Sequence, residues 1–597
     1  MIRYLLTLFC LLSISAQAAP KIIIVYPHPN QQIALVDSEF VFGSVTPGSK
    51  LTINGVNVKV YKEGGWLAFL DVSSGMFNFH IVAKAAGEST IVDLPISVGT
   101  PESTSPISKF MPISPLPSNK ALYFVGDPIE FSFMAPPGGM SWFSLEKHDR
   151  VSMLESPANF SSVQSSVFGA VQADTSHLRD RIRYTGYYRF TGADTGVHSI
   201  VYGFKPPDNN SKDSTIQHLD SLITVLPEFP PLIGMLTGTN HIVRTGPLLG
   251  YKLLYQPPGI LVNIVGMRDY FYKIKLAQDV FGYINVDSVT IQPPGTIVPE
   301  GKITFITVDS TKDGIEISTS AGVKLPYEIN ESMSPYQLDI DFYGAVSNVD
   351  WIRYNTKNPL VKIVRWSQPQ EKVFRLTVEI GNKKLWGYKA WYEDNKFVLR
   401  IREEPPAQTA NAGSLKGMRI IIDPGHSKDP GAIGPTGLEE ADANLWISQE
   451  LKKRLEKRGA KVRMTRNGHE DLALYARTQF AESLKADLLV SIHNNSLPDG
   501  INPYYNHGTS VYYYHPHSKA LAEAVHDAML DGTELPDHGY YYGNLALTRY
   551  TLSPAILVEC TFMILPDQES ALRTKKFQQK IADSITKGIV NYLKQPE

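Results

Sequence analysis

Four polar residues in the last third of the chain have side chains that suit metal-assisted hydrolysis. His426 ends the run Ile-Ile-Ile-Asp-Pro-Gly-His, His493 ends Leu-Leu-Val-Ser-Ile-His, Glu559 ends Ala-Ile-Leu-Val-Glu, and Glu440 ends Gly-Leu-Glu-Glu. Two histidines and a glutamate are a common ligand set for a hydrolytic zinc ion, which lowers the pKa of its water to about 7. We therefore predict that His426, Glu440 and His493 bind Zn2+. Glu559 is then the expected general base, which passes the proton of the water to the departing amine, and an amide or ester bond is the natural target.

These residues lie far apart in the sequence, so the fold must bring them together. Both histidines and Glu559 come at or just beyond the end of a short apolar, β-branched run, which is typical of a buried strand. The pattern predicts strands over 418–422, 461–465, 486–492 and 555–558, and helices over 443–455, 474–484, 518–530 and 577–589. This alternation indicates an α/β domain over 417–597, with a largely parallel sheet flanked by helices. In such a sheet the carboxyl ends of the strands share one edge, where ligands bind.

Other polar residues near these runs have two interpretations each. Arg466 and Arg477 suit either the binding of a substrate carboxylate, since arginine forms bidentate pairs with carboxylates, or pairing within the fold. Asn494 suits either orienting the site or contacting substrate, and Asp423 is a candidate acceptor for the second ring nitrogen of a ligand histidine. Five histidines lack a comparable place and are expected mostly in surface loops: His469, His507, His515, His517 and His538.

The first 400 residues predict a series of β-rich modules. A chain of 597 residues is too long for one hydrophobic core, and short β-rich runs here alternate with turn-forming sequences such as Asn54-Gly55. We expect a β-sandwich module over 19–100, a Pro/Ser linker over 101–119, a β-rich module over 120–229, an SH3-like β module over 236–293, an AMIN-like β module over 299–403 and a linker over 404–416. The SH3-like and AMIN-like assignments rest on resemblance alone.

The N-terminus and the overall charge predict export and argue against one class of partner. Residues 1–18 combine Arg3, an apolar stretch and Ala16-Gln17-Ala18, the pattern of a cleaved signal peptide. The alternative is a membrane anchor, but the apolar stretch is short and no other segment approaches about 20 apolar residues. We therefore expect no transmembrane helix in the mature chain. A formal net charge of −2 without a long basic run argues against a nucleic-acid partner. Cleavage would leave one cysteine, Cys560. We expect it to be a small buried residue rather than a nucleophile.

The order of motifs over 417–594 resembles the zinc-dependent N-acetylmuramoyl-L-alanine amidases. The matching elements are Asp423-Pro424-Gly425-His426, Gly437-x-x-Glu440, Thr465-Arg466, Leu474-x-x-Arg477, Ser491-Ile492-His493-Asn494 and Pro554-Ala555-Ile556-Leu557-Val558-Glu559. The resemblance implies that His426, Glu440 and His493 are zinc ligands and that Glu559 is catalytic. Glu439 is the alternative ligand, although the spacing from Gly437 favours Glu440. The chain departs from the family pattern at Ser427-Lys428 and at 560–563, which affects the shape of the pocket more than the metal.

The same resemblance implies a peptidoglycan hydrolase that cuts the amide between N-acetylmuramic acid and L-alanine of the stem peptide. Peptidoglycan is then the expected partner, and the β modules are candidates for contacting division or envelope proteins. The expected location is outside the cytoplasm, either periplasmic or associated with the cell wall and extracellular. Two alternatives use the same residues: a zinc peptidase that acts on wall peptides, and a non-catalytic peptidoglycan-binding protein.

Overall fold

A computed structural model describes ten stretches of the chain: 19–99, 113–116, 121–145, 149–156, 182–206, 215–227, 229–239, 241–381, 384–405 and 413–594. The predicted signal peptide, 1–18, lies outside the described residues. So does most of the predicted linker 101–119, apart from residues 113–116, which form a strand. Residues 406–412 of the predicted linker 404–416 are outside as well.

The first 100 residues contain two small sheets that face each other. Their strands are β1 Ile22–Tyr26, β2 Gln32–Ile33, β3 Ser38–Val45, β4 Lys50–Ile53, β5 Val56–Val58, β6 Gly65–Asp71, β7 Gly75–Ala85 and β8 Glu88–Val98. The sheet orders are β1-β3-β6 and β2-β8-β7-β4-β5. Trp66 from one sheet and Phe79 from the other are fully buried in one shared core, which is the arrangement of a β-sandwich.

The next strands form one sheet of fifteen strands that covers two separate cores. They are β9 Ile113–Leu116, β10 Ala121–Phe124, β11 Pro128–Ala135, β12 Met140–Leu145, β13 Val151–Ser156, β14 Ile182–Arg189, β15 Gly196–Lys205, β16 Thr215–Leu226, β17 Leu232–Leu236, β18 His241–Arg244, β19 Tyr251–Gln256, β20 Leu261–Arg268, β21 Phe271–Ala277, β22 Val280–Asn285 and β23 Val289–Ile291. Strand β10 joins the two parts by pairing with both β16 and β20. One core is centred on Phe133 and Tyr202, and the other contains Val262 and Ile274.

Nine further strands form two sheets around a third large core. They are β24 Gly301–Thr311, β25 Gly314–Ser320, β26 Tyr327–Met333, β27 Tyr336–Tyr343, β28 Ala345–Tyr354, β29 Val361–Gln370, β30 Val373–Ile380, β31 Tyr388–Glu393 and β32 Lys396–Arg402. The sheet orders are β28-β24-β25-β32-β31 and β26-β27-β30-β29. The front of the chain is therefore β-rich, as expected from its alternating patterns. Its SH3-like and AMIN-like assignments stay predictions.

The C-terminal part is a six-stranded sheet flanked by helices. Its strands are β33 Arg419–Pro424, β34 Lys461–Met464, β35 Leu488–Asn495, β36 Thr509–Tyr513, β37 Asp537–Tyr542 and β38 Ala555–Phe562. Its helices are α1 Glu440–Lys457, α2 Leu474–Ser483, α3 Lys519–Thr533, α4 Pro566–Leu572 and α5 Lys575–Lys594. The strand order is β34-β33-β35-β38-β36-β37, and every neighbouring pair is parallel except β38 and β36.

Helices cover both faces of this sheet, as the alternating sequence pattern predicts. Helices α1, α3 and α5 pack in one core with Ile420 and Val490, because their apolar residues recur at helical spacing. On the other face Ala481 of α2 packs with Ile421 and Leu489. The predicted strands and helices are all present, whereas β36, β37 and α4 were not predicted. Among the described helices, none has the length and apolar character needed to cross a membrane.

Two front modules contact opposite edges of this sheet. Phe40 and Phe42 of the first module pack against Phe562, the last residue of β38, at the carboxyl edge of the parallel strands. At the amino edge Arg402 donates from Nη2 to Asp487 Oδ1 at 2.6 Å, immediately before β35. The first module therefore lies next to the carboxyl edge, the edge at which ligands are expected to bind.

Candidate active site

The fold brings together the three residues that the sequence predicts as zinc ligands. His426 Nε2 lies 3.1 Å from Glu440 Oε2, and His493 Nδ1 lies 3.0 Å from Glu440 Oε1. The three ligand atoms all lie within 4.8 Å of one another. Two imidazole nitrogens and a carboxylate are donors that zinc prefers in hydrolytic sites. The donor set therefore fits a single zinc ion.

Two glycines, Gly425 and Gly431, leave room for the ligand side chains to meet. A Cβ on Gly425 would lie 2.2 Å from the ring of His493, so no larger residue fits beside that ring. A Cβ on Gly431 would lie 2.5 Å from Glu440 Oε2, and the backbone there has a φ of +69°. Glycine satisfies both requirements because it has no side chain and tolerates positive φ.

Glu440 is the first residue of α1 and is held on both carboxylate oxygens. Its Oε2 accepts from the backbone N–H of Ala432 at 3.0 Å, and its Oε1 accepts from the N–H of Asn494 at 3.1 Å. Burial opposes ionisation of this carboxyl, but the imidazoles of His426 and His493 outweigh burial and hold its pKa well below the ordinary value. Glu439, the alternative ligand, is exposed. The structure therefore places Glu440, and not Glu439, between the histidines.

Glu559 lies on β38 beside the second histidine. It is the register partner of His493 on the neighbouring parallel strand, so the two residues lie side by side at the carboxyl edge. Its Oε2 atom is buried and has no hydrogen-bond partner among the residues that the structure describes. Burial raises the pKa of the Glu559 carboxyl above its ordinary value, against the lowering effect of His493. A carboxyl of this kind can exchange a proton near neutral pH.

The second ring nitrogen of His426 has a carboxylate partner, but it is not the predicted one. His426 Nδ1 lies 2.9 Å from Asp429 Oδ2. Asp423 is fully buried and instead accepts from Arg477 Nη1 at 2.8 Å and from Ser491 Oγ at 2.7 Å. The expectation for Asp423 was wrong because its buried carboxylate is already engaged by Arg477 and Ser491.

Comparisons with known proteins identify the family of the C-terminal domain. The N-acetylmuramoyl-L-alanine amidase family matches residues 420–591. The chain is 32% identical over 207 residues to the probable cell wall amidase LytH of Staphylococcus epidermidis, which covers 34% of this chain and 67% of that protein. The chain belongs to this amidase family. It is also 32% identical over 221 residues to the N-acetylmuramoyl-L-alanine amidase LytC of Bacillus subtilis, covering 36% of this chain and 43% of LytC. A solved structure, the amidase AmiC2 of Nostoc punctiforme, is 33% identical, covers 30% of this chain and 98% of its own, and has a TM-score of 0.28.

Arg466 and Arg477, which the sequence left with two interpretations each, are structural. Arg466 is fully buried and donates from Nε to the carbonyl of Pro424 at 2.8 Å and from Nη2 to that of Gly425 at 2.8 Å. Arg477, also buried, donates from Nη2 to the carbonyl of His426 at 2.9 Å. Their donors are occupied by the loop that carries the first histidine. This resolves the two open interpretations in favour of pairing within the fold.

Asparagines complete the polar network around Glu440. Asn444, one helical turn after Glu440 on α1, donates from Nδ2 to Glu440 Oε1 at 3.1 Å. Asn494 donates from Nδ2 to Asn444 Oδ1 at 2.8 Å and accepts from Thr561 Oγ1 at 2.8 Å. Asn494 therefore orients the site. Asn444 was missed in the sequence, although its spacing of four residues from a predicted ligand places it on the same face of the helix.

Glu569 is a second site residue that the sequence does not reveal. It lies on α4, and its Oε1 accepts from the N–H of Leu438 at 3.0 Å and from Thr436 Oγ1 at 2.8 Å. The loop it holds leads directly into Glu440. No local pattern in the sequence relates residue 569 to this loop, because only the packing of α4 brings them together.

Proposed function

We propose that the chain is an exported, zinc-dependent N-acetylmuramoyl-L-alanine amidase of cell-wall remodelling or cell separation. Its bond is the amide between N-acetylmuramic acid and L-alanine of the stem peptide. The observation that supports this most is the convergence of two imidazoles and one buried carboxylate beside Glu559, in a domain of the amidase family.

In this proposal His426, Glu440 and His493 hold the zinc ion, which would supply Lewis acidity and make water more acidic. Glu559 takes the proton from the attacking water and delivers it to the nitrogen of L-alanine as the amide bond breaks. The raised pKa of Glu559 suits this exchange, because an efficient acid–base group titrates near the working pH. Asp429 and Asn494 keep the ligands oriented for this purpose.

The proposal includes export, with residues 1–18 as the cleaved signal peptide and a final location in the periplasm or at the cell wall. Peptidoglycan is the macromolecular substrate, and the β-rich front carries any contacts with division or envelope proteins. Cell fractionation tests the location directly. Recovery of the whole chain in the cytoplasm, with residues 1–18 still attached, would contradict it.

Mass analysis of digested peptidoglycan tests the reaction. An amidase releases intact stem peptides that begin with L-alanine and leaves free lactyl groups on the glycan. Shortened stem peptides would instead identify a peptidase, and unchanged material would identify a binding protein.

The variant Glu559→Gln tests the proposed general base in the same assay. It should lower the rate by about 10²- to 10⁴-fold, because proton transfer is lost while the zinc ligands remain. Zinc content measured by mass spectrometry should not change. Glu439→Gln is the matched control, since Glu439 is an exposed glutamate next to the same site. A normal rate for Glu559→Gln would remove this residue from the mechanism.

A further inference from the structure

We infer that Glu331, His515 and His517 form a second metal site, for a divalent transition ion such as Zn2+, distinct from the candidate active site. These residues offer two imidazole nitrogens and a carboxylate whose ligand atoms lie within 4.8 Å of one another. Imidazole and carboxylate together suit zinc and its neighbours in the first transition series. The inference goes beyond the proposed amidase function and does not depend on it.

The cluster joins two parts of the chain that are distant in sequence. Glu331 lies on β26, in the β-rich stretch 299–403, whereas His515 and His517 flank the start of a short 3-10 helix, Pro516–Ser518, of the amidase domain. Five histidines, these two among them, were expected mostly in surface loops, but His515 and His517 are buried. Their side chains are 7% and 0% exposed, and that of Glu331 is 2% exposed. Polar atoms buried to this extent normally have a partner, yet His517 Nε2 has none among the described residues.

The carboxylate is placed as in the candidate active site, although both histidines here face it with Nδ1, whereas His426 faces Glu440 with Nε2. His515 Nδ1 lies 2.9 Å from Glu331 Oε1, and His517 Nδ1 lies 2.9 Å from Glu331 Oε2. In the active site the corresponding nitrogen–oxygen distances to Glu440 are 3.1 and 3.0 Å. In both clusters one carboxylate presents each of its oxygens to a different imidazole.

In the neutral form of His515, the hydrogen bond made by Nε2 leaves Nδ1 unprotonated and facing the carboxylate. His515 Nε2 lies 3.1 Å from the carbonyl oxygen of Arg549, so Nε2 carries the proton of the neutral ring. Nδ1 is then an acceptor that faces another acceptor, Glu331 Oε1. Either a second ring proton or a metal cation bound by both atoms removes this conflict. A histidine that ligates metal usually donates its other ring N–H to a carbonyl or carboxylate, which is the geometry of His515.

The cluster borders a cavity, and a hydrogen bond from a neighbouring tyrosine holds its carboxylate. Glu331 and His515 line a cavity of about 650 Å³ between the β-rich front and the amidase domain, which provides an entry path and room for a water ligand. Tyr388 Oη donates to Glu331 Oε1 at 3.0 Å. Carboxylates that bind metal are commonly held by such hydrogen bonds.

The second ion would link the front of the chain to the amidase domain without contacting the reacting groups. His515 follows β36, which runs antiparallel to β38, so this cluster lies toward the amino edge of the parallel strands. The candidate active site lies at the carboxyl edge. Loss of the second ion should therefore leave the amidase rate within about twofold of the original.

Metal counting on the chain from residue 19 onward tests the inference. The protein is stripped with a chelator, reloaded with Zn2+ and analysed by inductively coupled plasma mass spectrometry. The double variant His515→Ala/His517→Ala should bind one zinc ion fewer than the original chain. His469→Ala is the matched control, because its imidazole is exposed and outside both clusters, and its count should not change.

A conservative variant keeps the test decisive if the double variant does not fold. Glu331→Gln preserves the volume and an acceptor for Tyr388, and it should weaken binding of one zinc ion by at least about tenfold while amidase activity persists. An unchanged zinc count and affinity in Glu331→Gln and in every folded histidine variant would overturn the inference. His426→Ala separates the two proposals, because it should remove one ion whether or not the second site exists. If it removes none, the zinc assignment of the active site fails. The second site is then judged by the zinc counts of its own variants.

Discussion

Replacing Glu569 with alanine tests how the fold positions the predicted ligand Glu440. The Glu569 side chain is 1% exposed, and it accepts from the backbone N–H groups of Thr436 and Leu438 and from the Thr436 hydroxyl. These donors belong to the loop that ends where α1 begins with Glu440. In the variant, two backbone N–H groups and one hydroxyl lose their acceptor in a buried place.

The expected loss follows from these contacts. Each buried donor left without a partner costs about 1–3 kcal/mol, and water that enters the space left by the side chain offsets part of this. We expect the free energy of unfolding to fall by about 3 kcal/mol, which is about a 100-fold change in the unfolding equilibrium. Because the loop leads into Glu440, zinc affinity should fall by about 10- to 100-fold, the usual effect of losing a residue that orients a ligand.

Urea unfolding and zinc competition against a chelating dye measure the two effects. Asp567→Ala is the matched control, since Asp567 is an exposed acid on the same helix. It should leave both quantities unchanged. If Glu569→Ala keeps the original stability and zinc affinity, then this carboxylate does not hold the loop and the reasoning is wrong.

Two further predictions concern other buried or ligand-orienting carboxyls. Asp429→Asn should lower zinc affinity by no more than about tenfold, because the Asp429 side chain that contacts His426 is 74% exposed; a larger loss in the dye assay would contradict this. Burial, followed by nearby Asp499, raises the pKa of Glu39 from 4.5 to about 8, so the folded state keeps a proton that the unfolded state loses. Stability should therefore fall as pH rises from about 5 to 8, at up to about 1.4 kcal/mol per unit, and Glu39→Gln should flatten this slope in urea titrations. An equal slope in both proteins would exclude Glu39 as its source.

Most elements of the amidase domain were predictable because their patterns are local. The run before His493 is apolar and β-branched, and the strand β35 forms over it. Strands β36 and β37 were missed because they are rich in tyrosine and lack a clear apolar alternation. Helix α4 was missed because its seven residues are too few for a helical period to appear.

Local sequence patterns were sufficient to show which residue types stand at the ends of the buried strands, and hence that His426, His493 and Glu559 share one edge of a sheet. The partners of the buried side chains followed from tertiary packing alone. It assigned Asp429 rather than Asp423 to His426, and it brought Glu331 to His515 across more than 180 residues. The physical reason is that strand formation depends on neighbouring residues, whereas a buried hydrogen bond depends on which distant surfaces pack together.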